Sequence, residues 1–340
     1  MHEVAWQSEM HQPDCCDLQG VTLVIISLRM HHGTRKCVEE ICNLRTVEKI
    51  EIKAPDEFNF GHSLAFLKRS PKEVLHRVEG EHVIKALDLD GNNIVFRVSE
   101  KGRGLLVEIL NGRLNELEKD AVKDYIREWF DLDTDLRPFY RMAQKDELLK
   151  PLVKAFYGYR IVGQPDLFES LVWAVLGQQI NLAFAYTLKS RFVTGFGQQL
   201  QWNNQPHFLF PSPATVSEIR PEQLLALQFS RQKAAYTINI AQAFCRGDVS
   251  KQKLSQLSLE DAKTELSKIK GIGNWTANYA LMKTFRYPDA FPLEDAGLHN
   301  AIRQQLDLKS KPSLARVRRI FKNYKGWEAY AVLYLWKSLA

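Results

Sequence analysis

A glycine-flanked turn between two apolar helical stretches constrains this chain more than any other feature. Gly271 and Gly273 surround Ile272, and Leu266 and Ile269 end the stretch before the turn. Glycine permits such a tight turn, and the second helix then presents free backbone N–H groups at its N-terminus, where a phosphate binds readily. A plain turn between packed helices needs the same glycines. The apolar frame around them favours a helix-hairpin-helix that binds the DNA backbone.

We therefore expect contacts with DNA from this turn and its flanks, namely from Lys268, Lys270, Gly271, Ile272, Gly273 and Thr276. The backbone carbonyls around Ile269 and Ile272 are placed to hold a structural Na⁺ or K⁺ that bridges to the same phosphate. Hairpins of this kind also occur in proteins without catalytic activity. The motif alone predicts binding and not chemistry.

The pattern along the rest of the chain predicts an α+β protein. Within residues 46–131, the strand-like runs His82–Leu89, Asn93–Val98 and Leu105–Leu110 are separated by glycine turns, as in an antiparallel meander. Residues 132–340 show helical spacing throughout and predict an all-α domain. Residues 1–45 have no clear period and form an N-terminal extension.

Charge is distributed unevenly. The chain carries a net charge of +6, but residues 296–340 contain nine Lys or Arg and only two acids. Such a concentration favours a face that meets phosphates, and Arg316 and Arg319 are the candidates for it. A solvated helix face explains these residues equally well, because Val317 and Ile320 mark a buried side.

Cysteine usage and hydropathy set limits on location. Four of the five cysteines lie in the first 42 residues without Cys-x-x-Cys spacing, so we expect neither a zinc site nor a disulfide framework. The apolar run Val21–Leu28 is too short to span a bilayer. A cytoplasmic protein without a membrane partner is the expectation.

Asp295 is the candidate catalytic group. It follows Gly273 by 22 residues, in a segment that begins Phe291-Pro292 and leads into another helix. A carboxylate fixed in this way is able to stabilise positive charge that develops on a substrate or to activate water. A helix N-cap is the simpler role for the same residue, and both roles are compatible. Glu294 is the alternative carboxylate.

Taken together, these motifs resemble the helix-hairpin-helix DNA glycosylases, and most closely the bacterial DNA-3-methyladenine glycosylase II group. The resemblance spans residues 46–339 and rests on the hairpin, on Asp295 at the family spacing, and on the segments Leu176–Ile180 and Trp327–Ala331. It implies that Asp295 is catalytic and that Trp275, Tyr279 and Trp327 line the pocket for the extruded base. Electron-rich rings suit a base made cationic by alkylation.

The aromatic assignments have an alternative, because rings at helical spacing also fill cores. By that test Trp173 and Trp336 are predicted to be core residues. The resemblance further implies that the loop containing Gln178 and Gln179 contacts DNA, with Gln179 filling the gap left by the flipped base. Either glutamine also suits the end of a helix.

Two expected absences refine the activity. Bifunctional members of the family carry a lysine nucleophile just after the hairpin glycines, and Trp275 stands in that position here. The cysteines of an iron–sulfur cluster are missing near the C-terminus, so no cofactor is required. We expect a monomeric, monofunctional enzyme that acts on alkylated purines in double-stranded DNA and is associated with the bacterial nucleoid. A glycosylase for oxidised purines and a catalytically silent DNA-binding protein are the alternatives.

Overall fold

The structure is a computed structural model, and it describes residues 47–339. The N-terminal extension at residues 1–45, with four of the cysteines, lies outside the described residues. Five strands form one antiparallel sheet in the order β1-β5-β4-β3-β2. Their bounds are β1 Glu48–Lys53, β2 His76–Glu79, β3 His82–Leu89, β4 Asn92–Lys101 and β5 Gly104–Ile109.

The predicted meander is confirmed, and its register follows from the turns. Asp90 and Gly91 both have positive φ, so the β3–β4 hairpin pairs Leu89 with Asn92. Alternate residues of the strands point to one face, where apolar side chains pack on two helices, α1 (Phe60–Leu67) and α2 (Glu116–Phe130).

The remaining chain is mainly helical, as expected. Its helices are α3 Arg137–Ala143, α4 Lys150–Ala155, α5 Leu167–Gly177, α6 Leu182–Phe196, α7 Pro213–Ser217, α8 Pro221–Ala226, α9 Arg231–Cys245, α10 Lys251–Leu254, α11 Leu259–Ser267, α12 Asn274–Phe285, α13 Ala296–Gln305, α14 Leu314–Phe321 and α15 Glu328–Lys337. The prediction of an all-α region was wrong at one place. A short hairpin, β6 (Gln199–Trp202) and β7 (Gln205–Phe208), interrupts it, because Asn203 and Asn204 both adopt left-handed φ and close a tight turn.

The sheet and the helices belong to one compact unit. Fully buried Arg160 joins the two parts: its guanidinium donates to the carbonyl of Asp131 at 2.6 Å and to Glu57 at 2.5 Å. The expected boundary between residues 131 and 132 stays a prediction. It falls where Asp131, with φ +51°, ends α2.

A second group of contacts joins the sheet domain to the helices. The segment between α1 and β2 lies against α6, where Lys72 Nζ donates to Thr187 Oγ1 at 2.6 Å and Lys189 Nζ donates to Glu73 at 3.0 Å. Glu73 and Lys189 are almost completely buried at this contact. The small sheet domain is thereby fixed to the helix that follows the loop at residues 178–181.

Candidate active site

Asp295 is the N-cap of α13, and its carboxylate accepts three N–H groups. Oδ1 accepts the backbone N–H of Leu298 at 2.7 Å, which is the capping bond. The indole N–H groups of two tryptophans complete the set: Trp275 reaches Oδ2 at 3.1 Å, and Trp336 reaches Oδ1 at 2.7 Å. All three partners are donors, so the arrangement is complementary to an ionised carboxylate, which only accepts.

The loop before Asp295 is pinned by side chains from two helices. His299 of α13 contacts the carbonyl of Leu293 at 2.9 Å through Nε2. The amide of Asn278 on α12 accepts the backbone N–H of Phe291 at 3.0 Å through its Oδ1. Gly297 lies in the first turn of α13, where a side chain would be too close to its neighbours: a Cβ there would lie 3.0 Å from Asp295 Oδ1 and 3.3 Å from the Trp336 ring. The absence of that atom lets the indole approach the carboxylate.

Aromatic rings continue from the carboxylate into the protein. Tyr279 stacks on Trp275 with ring centroids 5.4 Å apart and planes 28° apart, and Trp336 lies 6.2 Å from Tyr279. Trp173 donates its indole N–H to the Tyr279 hydroxyl at 3.0 Å. Burial raises the pKa of Tyr279, so this hydroxyl stays neutral. The group formed by Trp275, Tyr279 and Trp336 is called the aromatic pocket below.

Trp327 does not reach this pocket, and the expectation that it lines it was wrong. Its ring packs against Phe139 at 5.8 Å and Tyr330 at 5.9 Å, in the helical core. The reason is helical geometry: nine residues at 100° each place Trp327 and Trp336 about half a turn apart. Trp336, expected in the core, is half-buried beside Asp295 instead.

The hairpin has the expected shape. Ile272 donates its backbone N–H to the Ile269 carbonyl at 3.0 Å, and α12 begins directly after Gly273. Gly271 has φ +111°, and a Cβ there would lie 2.3 Å from the Tyr236 ring. Ile272 is buried beneath the turn.

The basic flanks of the hairpin remain on the surface. Lys268 and Lys270 are exposed, and Lys268 pairs with Glu265 of the same helix at 2.6 Å. On α14, Arg316 and Arg319 are likewise exposed, while Val317 and Phe321 face the core.

Thr276 and Gln178 contact each other, and the expectation that they touch DNA stays a prediction. Thr276 is buried, and its hydroxyl accepts the Gln178 amide at 3.0 Å. The same amide donates to the Gly271 carbonyl at 3.3 Å. These two side chains brace the hairpin against the end of α5.

Gln179 is the exposed tip of the loop and has a left-handed backbone, with φ +56°. Buried Lys233 holds the loop from below, donating to the carbonyls of Val175 at 2.8 Å and Gln178 at 2.7 Å. Burial lowers the pKa of Lys233 to about 8. A cation at the C-terminus of a helix is favourable, and here it fixes the loop that presents Gln179.

Two features of the site escaped sequence reasoning. Trp336 lies 41 residues beyond Asp295, and Arg69 donates through Nε to the hydroxyl of Tyr186, 117 residues away. The spacing of Trp327 and Trp336 does signal that the two rings face opposite ways. No local signal points to Arg69, because its partners belong to another part of the chain.

Across residues 47–339, the structure has no group of three or more His, Cys, Asp or Glu side chains arranged for a metal ion. The same part of the chain has no helix of the length and apolarity that crossing a membrane requires. Cys245 carries a free, exposed thiol.

Comparison with known proteins identifies the family. Residues 172–326 match the model of the HhH-GPD superfamily base excision DNA repair proteins, and residues 47–171 match that of the 8-oxoguanine DNA glycosylase N-terminal domain. The chain is similar to the DNA-3-methyladenine glycosylase of Bacillus subtilis, with 39% identity over 85% of this chain and 97% of that protein.

Solved structures agree with this assignment. The 3-methyladenine DNA-glycosylase from Archaeoglobus fulgidus matches with a TM-score of 0.72 and 26% identity, over 85% of this chain and 97% of that one. The Schizosaccharomyces pombe 3-methyladenine DNA glycosylase in complex with abasic DNA matches 58% of this chain and 93% of its own, with a TM-score of 0.51 and 28% identity. The chain therefore belongs to the HhH-GPD superfamily of base excision DNA repair proteins, among the DNA-3-methyladenine glycosylases, which hydrolyse N-glycosidic bonds.

Proposed function

We propose that the protein is a monofunctional glycosylase that flips alkylated purines, of the 3-methyladenine and 7-methylguanine type, out of duplex DNA and leaves an abasic site. One observation carries the proposal: the Asp295 carboxylate is held by two indole N–H groups at the edge of the aromatic pocket. A charged group and a flat apolar surface therefore lie side by side.

Asp295 has the chemical role that the bond requires. Departure of the base leaves positive charge on the sugar, and a carboxylate already fixed by three donors stabilises that charge without having to reorganise. The same carboxylate is able to orient or deprotonate the attacking water. Either route ends in hydrolysis.

The aromatic pocket suits a cationic base. Methylation at N3 or N7 gives the purine a positive charge, and the faces of Trp275, Tyr279 and Trp336 attract cations. A cationic base also leaves readily, which reduces the need for an acid at the leaving group. The extrusion itself costs a few kcal/mol, least at a damaged pair.

Strand cleavage is not expected. The lysine that forms a Schiff base in bifunctional relatives is replaced by Trp275, whose indole is bonded to Asp295. Lys283, two helical turns further along α12, donates to the Val162 carbonyl in the interior. Neither residue offers a nucleophile at the sugar, so Asp295 acts without a lysine partner.

We assign DNA binding to the hairpin, to exposed Lys270, Arg316 and Arg319, and to Gln179 as the residue that fills the vacated stack. The Ile269 carbonyl accepts one hydrogen bond and keeps a second lone pair, so a Na⁺ or K⁺ bridging to a phosphate fits there beside Ile272. We expect a monomer associated with the nucleoid.

Labelled duplexes containing 3-methyladenine, 7-methylguanine or 8-oxoguanine test the proposal. After incubation, half of each sample is treated with alkali and both halves are run on a denaturing gel. We expect alkali-dependent breaks at the methylated bases only. Breaks at 8-oxoguanine would instead indicate a glycosylase for oxidised purines. Binding of the duplexes without excision would indicate a catalytically silent DNA-binding protein.

A further inference from the structure

Arg69 is a cation without a carboxylate partner at the inner end of the active-site cleft. Its Nε donates to the Tyr186 hydroxyl, and its guanidinium lies 3.9 Å from the centre of the Phe66 ring and 5.4 Å from that of Tyr186. Among residues 47–339 no acidic side chain pairs with it and no acceptor lies on its two terminal nitrogens. The residue nevertheless remains exposed.

The cavity beside Arg69 borders the aromatic pocket at Tyr279. A cavity of about 40 Å³ is lined in part by Arg69, Tyr186, Trp173 and Tyr279, and the Tyr279 ring also stacks on Trp275. Tyr186 and Trp173 are in ring contact at 4.9 Å. Aromatic side chains thus lead from the carboxylate of Asp295 inward to the guanidinium of Arg69.

Arg69 is held in place by the seam between the sheet domain and α6. Three residues of one segment, Arg69, Lys72 and Glu73, each bond to α6, at Tyr186, Thr187 and Lys189. Because the backbone and one nitrogen are fixed, the guanidinium offers its remaining donors with little loss of side-chain entropy.

The position of Arg69 determines which part of a bound purine it meets. The sugar is attached at N9 and must sit beside Asp295, so the opposite edge of the base, with position 6, points deepest into the cleft. Guanine presents an oxygen acceptor at position 6, and adenine presents an amino donor. The guanidinium of Arg69 is therefore able to donate a hydrogen bond to the oxygen of guanine. In adenine it meets the amino group, and two donors cannot form a hydrogen bond with each other. The phosphates stay with the hairpin at the mouth.

We propose that Arg69 is a specificity-determining residue that favours methylated guanines over methylated adenines through the oxygen at position 6. This inference rests on the proposed excision of alkylated purines. The positive charge of Arg69 repels every cationic methylated base to a similar extent. The discrimination therefore arises from the hydrogen bond and not from charge.

A single reaction tests the idea. Methylated genomic DNA contains 3-methylguanine and 3-methyladenine, which share the methyl position and the positive charge, and both released bases are quantified by chromatography. We expect Arg69→Gln to lower the ratio of the 3-methylguanine to the 3-methyladenine release rate by about tenfold, the usual effect of one arginine contact to a base. Tyr186→Phe, which frees the guanidinium, lowers the ratio in the same direction.

The matched control is Lys72→Gln, which removes a neighbouring contact with α6 outside the cleft and leaves the ratio unchanged. Melting temperature and affinity for an abasic duplex establish that each variant folds and binds. The 2-amino group of guanine is a donor, so a contact there would raise the ratio in Arg69→Gln. A ratio that rises or stays constant, with both rates falling together, overturns the inference. Failure of the unsubstituted protein to release either base refutes the proposed function itself.

Discussion

The indole nitrogen of Trp336 lies 2.7 Å from Oδ1 of Asp295, although the two residues are separated by 41 positions and belong to different helices. This bond places a ring from α15 at the carboxylate that begins α13. It also allows a test of whether Trp336 or Trp327 contributes to catalysis at Asp295.

Replacing Trp336 with Phe keeps a ring but removes the N–H donor. We expect the single-turnover excision rate to fall about tenfold or more, because one fixed donor to a reacting charge has effects of this order or larger. Trp327→Phe is the matched control. Its ring packs on Phe139 and Tyr330, so the excision rate should stay within about twofold even if the melting temperature falls. Equal losses in the two variants would contradict the assignment of Trp336.

Asp295→Asn should strongly slow excision while preserving the fold. Asparagine is as good an N-cap as aspartate and still accepts the Leu298 N–H, but it carries no charge and turns an NH₂ group towards the Trp275 donor. We expect a loss of about 100-fold or more in the single-turnover rate, with affinity for an abasic duplex retained. Glu294→Gln is the control: Glu294 is exposed and accepts hydrogen bonds from the side chain of Asn274, at 3.0 Å. Activity surviving in the Asp295 variant would end its catalytic assignment.

The Glu73–Lys189 pair should make the free energy of unfolding decrease as the pH falls. Burial alone would raise the pKa of Glu73, but Lys189 at 3.0 Å and neighbouring groups outweigh it and lower the pKa from 4.5 to about 2. A carboxylate with a depressed folded-state pKa stabilises the protein above its unfolded pKa. That stability, a few kcal/mol in order of magnitude, is lost as pH falls from about 4.5 to about 2.

Denaturant melts at pH 7 and pH 3 measure this contribution. In Glu73→Gln we expect the free energy of unfolding at pH 7 to fall and its decrease between pH 7 and pH 3 to be smaller than in the unsubstituted protein. Glu51, which pairs with Lys101 on the surface, supplies the control variant Glu51→Gln. An unchanged acid dependence in Glu73→Gln would show that the pair does not stabilise the seam.

The two hairpin glycines should differ in their tolerance of a methyl group. Gly271 has positive φ and no room beside Tyr236, so Gly271→Ala strains the turn and displaces the ring. We expect a clear fall in melting temperature and weaker binding to an abasic duplex. At Gly273 a Cβ meets nothing within 4 Å, so Gly273→Ala should melt within a few degrees of the unsubstituted protein. Similar melting temperatures for both variants would mean that the turn is not built as described.

Patterns that depend on neighbouring residues were predictable from the sequence. The β3–β4–β5 meander, the hairpin and the cap at Asp295 all follow from turn chemistry and periodicity within a few residues. The β6–β7 hairpin was missed because its strands are four residues long and lie within a region of strong helical spacing. The family resemblance grouped Trp275 and Tyr279 with Asp295, and the Trp275 indole does bond to that carboxylate while stacking on Tyr279.

What the sequence did not reveal depends on packing over long distances. The choice between Trp327 and Trp336 is settled by which face of α15 meets α13, and the inward position of Thr276 depends on Gln178 reaching it from 98 residues away. Arg69 meets α6 only because the sheet domain docks there. The spacing of Trp327 and Trp336 shows that their rings face opposite ways, but not which of them meets Asp295.

The convergence of three helices on Asp295 ties the chemistry to the cooperativity of the fold. Its donors come from α12, α13 and α15, so opening any one of these helices removes a ligand from the carboxylate. A partly opened molecule therefore has a disorganised reaction centre. We therefore expect cleavage of glycosidic bonds only from the fully assembled state.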